Sequence, residues 1–134
     1  MLASWVTAVR LSIHVLAASV WVGGQLVMVG LLPSARALSP EAPRRLARAF
    51  ARLSWPAFAV LVVTGLWNVG VVHPSRQTTA WQVVLGVKIA VVVLAGAAAL
   101  LHGRATSRRA LGVWGSAAGS LSLAALVLGV LLAG

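Results

Sequence analysis

The chain has no cysteine, and in 134 residues it has one acidic residue, Glu41. Without cysteine there can be no disulfide, no thiolate metal site and no cysteine nucleophile. A single carboxylate excludes paired-carboxylate acid–base catalysis, a carboxylate proton relay and a carboxylate metal cage within one chain. Charge of either sign is also scarce. Charged residues make up 9% of the chain against 60% apolar, whereas a soluble domain carries about a quarter charged. Water is therefore a poor solvent for this surface.

The apolar residues fall in long uninterrupted runs. Leu11–Leu32 alone exceeds the roughly 20 residues needed to cross about 30 Å of hydrocarbon. It is also longer than a secretory apolar core, and no basic residue precedes Arg10, so the reading is a retained helix. The pattern predicts an all-α, polytopic four-transmembrane-helix bundle forming a single domain, with helices over about 4–32, 44–72, 80–102 and 110–133. Helix one ends by Pro33, and Pro33–Pro43 is a loop. Ser39-Pro40-Glu41 has the order of an N-cap followed by a first-turn proline. Residues 44–53 are an amphipathic start to helix two at the headgroup level, with Arg44, Arg48 and Arg52 recurring every four residues. Pro56 is a candidate kink, and His73-Pro74-Ser75 is a turn.

The formal charge of +10 does not point to nucleic acid, because no soluble reader domain is present. The basic residues instead gather between apolar runs: Arg36, Arg44, Arg45, Arg48 and Arg52, then Arg104, Arg108 and Arg109. Such clusters mark cytoplasmic loops and attract anionic headgroups. Both termini are then expected outside, in a multi-pass protein of the cell's inner (cytoplasmic) membrane. Trp55 and Trp114 fall near the cytoplasmic ends and Trp5, Trp67 and Trp81 near the outer ends, as two aromatic belts do. Helix four carries a small-residue face, including Gly115 and Gly119, suited to close packing within the bundle or to a homo-oligomer.

Polar groups inside a bilayer are costly and are functional candidates by default. Here they are Arg10, His14, Gln25, Met28, Asn68, His73, Gln82, Lys88 and His102. Arg10, His14, Trp21, Gln25 and Met28 recur at helical spacing as one stripe. His14 is the sharpest candidate, since a neutral imidazole ligates copper or haem iron. Lys88 interrupts helix three at a depth within lysine reach of His14, suited to an anionic group or simply to snorkelling. His73 is a candidate entry ligand at the outer mouth.

The stretch His14-Val15-Leu16-Ala17-Ala18-Ser19-Val20-Trp21-Val22-Gly23-Gly24 resembles the first-helix motif of the copper-resistance protein D (CopD) family. Arg52 with Thr64-Gly65-Leu66-Trp67 resembles that family's second helix. Trp81 through Lys88-Ile89-Ala90, and the basic run after His102, resemble its third. The resemblance covers about residues 10–110. The layout is also similar to that of the HemJ-type protoporphyrinogen oxidases, small four-helix proteins that bind haem b. In those, a first-helix histidine and a third-helix lysine are the functional pair, which by position implies His14 and Lys88.

Three functions follow as expectations. The first is copper binding or transport at an outer-leaflet site around His14, with His73 and Met28 as further ligands. The second is a haem b-binding oxidoreductase or electron carrier using His14 and Lys88, with Arg10 or Lys88 paired to the propionates; only this reading implies an enzyme. The third is a cofactor-free structural subunit.

Overall fold

The structure, a computed structural model, describes residues 2–134. Among these residues there is no strand, and four helices are long and apolar enough to cross a membrane: Trp5–Leu38, Ala42–Val72, Thr79–Arg104 and Arg108–Ala133. They are called the first to fourth spans below. The chain divides into two compact units, Met1–Val72 and His73–Gly134. Each is a pair of spans joined by a short loop.

Burial is distributed as a bilayer solvent requires. The buried positions are mostly small or polar, among them Ala17, Ser54, Thr64, Ala95, Ala98, Ala118 and Ser122. Large aliphatic side chains face outward, as with Leu16 at 67% and Val63 at 64% exposure. Lipid tails solvate such side chains as well as a core would, so helices associate through small residues and interhelical hydrogen bonds.

In the first unit the two spans run antiparallel. Arg10 lies by Trp67, His14 by Thr64, and Trp21 by Trp55 and Phe58. Trp21 is buried, its ring centroid 4.5 Å from that of Phe58 and 5.4 Å from that of Trp55. At Gly24 a Cβ would overlap the Phe50 ring, so glycine is what allows that ring to lie against the first span. The stripe read from the sequence is real: Arg10, Trp21, Gln25 and Met28 are all buried or half-buried, as is His14.

Three local features depart from the sequence reading. The first span continues through Pro33 to Leu38, so the loop shrinks to residues 39–41. Proline removes one donor from the ladder. This close to the helix end, water at the membrane boundary can satisfy the carbonyl left behind. Ser39 does cap the next helix, accepting from the Ala42 amide at 3.1 Å. Second, Ser19–Gly23 is a π-helical segment inside the first span. Its altered ladder is tended by side chains: Gln25 Nε2 donates to the Trp21 carbonyl at 2.9 Å, and Ser19 donates to the Val15 carbonyl at 2.8 Å. Third, the second span is one unbroken helix through Pro56. At 1.5 Å per residue it is about 45 Å long, well beyond the hydrocarbon thickness. Its arginine-bearing first turns therefore extend past the apolar region.

The second unit is capped by Thr78, which accepts from the Trp81 amide at 3.2 Å, and by Ser107, which accepts from the Ala110 amide at 3.1 Å. Trp81 Nε1 donates to the Leu132 carbonyl at 3.2 Å, tying the start of the third span to the end of the fourth. His73 precedes a 3₁₀ turn, Pro74–Arg76, with φ of 54°, the left-handed region uncommon outside glycine.

Candidate functional site

His14 sits on the inward stripe of the first span, and its Nδ1 lies 2.7 Å from Thr64 Oγ1. The roles in this pair follow from the hydroxyl's other contacts, which are both backbone carbonyls, Leu61 at 3.2 Å and Val60 nearer. Thr64 Oγ1 is 2.7 Å from the Val60 carbonyl oxygen. A carbonyl only accepts, so the single hydroxyl proton lies on that side. Thr64 must then accept from His14, which places the imidazole proton on Nδ1 and the lone pair on Nε2. A second helix thus fixes both ring orientation and tautomer, the arrangement found behind metal-ligating histidines.

Arg10 is one turn away on the same stripe. It is 6% exposed, and its guanidinium carbon lies 5.9 Å from the Trp67 ring centroid. Its Nε is buried without a hydrogen-bond partner. Among the described residues the guanidinium has no ion pair, and the chain's one acidic residue, Glu41, lies in the loop at the far end of this helix pair. A buried charge without a partner is costly. No counter-charge for Arg10 lies among the described residues of this helix pair. Asn68 Oδ1 is likewise buried and unpartnered. The antiparallel register that pairs residue 14 with residue 64 puts residue 68 level with Arg10.

The other sequence candidates separate into different places. Met28 shares the stripe with His14 but lies 14 residues along the same span, about 21 Å at helical rise, so the two cannot ligate one ion. The reason is depth: a common face does not imply a common level. His73 is exposed in the loop and belongs to the second unit. Lys88 is half-buried in that unit, with its ammonium over Gly129, where a Cβ would come within 2.9 Å of Nζ. His102 Nδ1 donates to the Leu111 carbonyl at 2.9 Å, and the ring fills the space left by the missing side chain of Gly115. Gly115 thus serves packing within its own helix pair. Gln82 Nε2 donates to the Pro74 and Gln77 carbonyls at 3.0 and 3.1 Å, bracing the loop. Among the described residues no three His, Cys, Asp or Glu side chains cluster as a metal site.

Sequence reasoning missed the role of Thr64. The signal was the hairpin register: a turn near residue 40 brings position 14 opposite positions 64–66.

No family model, no curated protein and no solved structure matches the chain.

Proposed function

We propose that this is a multi-pass protein of the inner membrane that binds haem b in its first helix pair and acts as an electron carrier or membrane oxidoreductase. The observation that carries the proposal is the pairing, one helical turn apart, of an oriented imidazole and a buried guanidinium without a counter-ion. Haem asks for that combination: one nitrogen ligand for iron and a cation for its carboxylates. His14 Nε2 would hold the iron, and Arg10 would hold a propionate. Bound haem supplies a one-electron couple; the protein's own part is to orient the ligand, compensate the charge and exclude water. The resemblance to HemJ-type proteins read from the sequence points to the same choice through His14. Lys88 belongs to the other helix pair, and the proposal does not draw on it. The arginine clusters support cytoplasmic loops one and three and outer termini, so the site opens toward the outer face.

Copper, implied by the CopD-like stretch His14–Gly24, is the second reading, because the same Nε2 suits copper equally well. Its weakness is the donor set. Within the first helix pair no methionine or second histidine lies at the depth of His14, and a copper ion would draw its remaining ligands from elsewhere.

Elemental analysis of protein purified from cells supplied with haem precursors and copper separates the readings. Iron near one per chain with little copper is expected, and copper without iron would overturn haem in favour of copper. Arg10→Gln is expected to keep the iron but weaken haem affinity by about tenfold or more, the loss of one charge-assisted hydrogen bond.

A further inference from the structure

The first turns of the second span carry a feature that the haem site does not use. Arg45, Arg48 and Arg52, with Ala49 between them, line an open groove of ≈ 460 Å³. The spacing of three and then four residues puts the three guanidinium groups along one side of the helix. All three arginines are exposed, and among the described residues none has a hydrogen-bond or ion-pair partner for its side chain. The chain cannot supply the missing charge, since it has one carboxylate side chain against eleven lysines and arginines. Ala49 is the only uncharged residue lining the groove. Its small side chain leaves open the space that the three arginines line.

We infer that this groove is a binding site for the phosphate of an anionic membrane phospholipid. Position selects the lipid over other anions. The groove lies on the turns that immediately precede the apolar length of the same unbroken helix, at the level where headgroup phosphates lie. Guanidinium groups match phosphate oxygens with paired, charge-assisted hydrogen bonds. A diffuse attraction of basic loops to an anionic surface needs no groove. A site needs the space over Ala49, and this distinction makes the inference testable.

Native mass spectrometry of the full chain in mild detergent, supplied with phosphatidylglycerol or phosphatidylcholine of the same acyl chains, provides the test. The wild type should retain phosphatidylglycerol at least tenfold over phosphatidylcholine. Ala49→Leu, which leaves every charge in place, and the triple variant R45Q/R48Q/R52Q should both lose that preference. R104Q/R108Q/R109Q, which removes as much charge from the other cluster, should keep it, with helicity checked by circular dichroism throughout. Retention by Ala49→Leu, or equal loss in both triple variants, would reduce the effect to bulk charge and overturn the site. Binding of inorganic phosphate with no preference for the lipid would overturn the lipid as its source.

Discussion

At the scale of single residues, the decisive contacts are those of His14 and Arg10. Both were legible in the sequence, because a histidine or an arginine within an apolar run is conspicuous and expensive. Thr64 was not. Threonine hides easily in a membrane helix by bonding back to its own carbonyls, as it does here to Val60. Its partner is also 50 residues away, so only the folded register reveals it. The separation of Met28 from His14 was legible as well: 14 residues along one helix is about 21 Å, and a shared face does not bring two residues to a shared depth. The His14–Thr64 bond makes a specific prediction. Thr64→Val removes the acceptor that fixes the Nδ1 proton while preserving shape, and should weaken haem binding by about 10–100-fold, the usual effect of losing such an orienting partner. Thr64→Ser keeps the hydroxyl and should bind nearly as the wild type does. Titration of haem into the purified variants checks both, and equal weakening in the two would mean that Thr64 acts only by packing.

At the scale of elements, the four spans could be read from apolar length, and the start of the second from Ser39 as a cap; the caps at Thr78 and Ser107 emerge from the structure. Their ends were harder. Pro33 has the signature of a helix stop, yet the span runs five residues further because one missing donor near a helix end is tolerable. The π-helical turn at Ser19–Gly23 left no mark in the periodicity, because Gln25 and Ser19 repair the ladder with side chains that read as ordinary polar residues. Helix contact in the second unit rests on missing side chains, and two glycines there should respond oppositely to substitution. At Gly115 a Cβ would come within 2.9 Å of the His102 ring. Gly115→Val should displace that ring from the Leu111 carbonyl and destabilise the pair by about 1–3 kcal/mol, the range for overpacking. At Gly112 nothing lies within 4 Å, so Gly112→Ala should stabilise the helix by roughly 0.5–1 kcal/mol. Thermal unfolding in detergent distinguishes them; a lower midpoint for Gly112→Ala would count against the packing described.

At the scale of the whole molecule, the inversion of burial says most about the solvent. Small and polar side chains lie inside, large aliphatic ones outside, and the arginines other than Arg10 gather toward the ends of the apolar lengths. That arrangement was foreseeable from composition and run length. The candidate site around His14 was only half foreseeable, since the residues were visible but their assembly depends on how two spans align. The absence of cysteine makes topology directly measurable. A single cysteine at Ser75 should react with an impermeant thiol reagent added outside intact cells, while one at Thr106 should react only after permeabilisation. The reverse pattern would turn the molecule over and place the His14 end on the cytoplasmic side. The central claim, that His14 holds haem, is tested most directly by the visible absorption spectrum of protein purified from haem-supplied cells. The wild type should show a Soret band that disappears in His14→Ala while helicity is retained. A wild type without that band, or a His14→Ala variant that keeps it unchanged, would contradict the account.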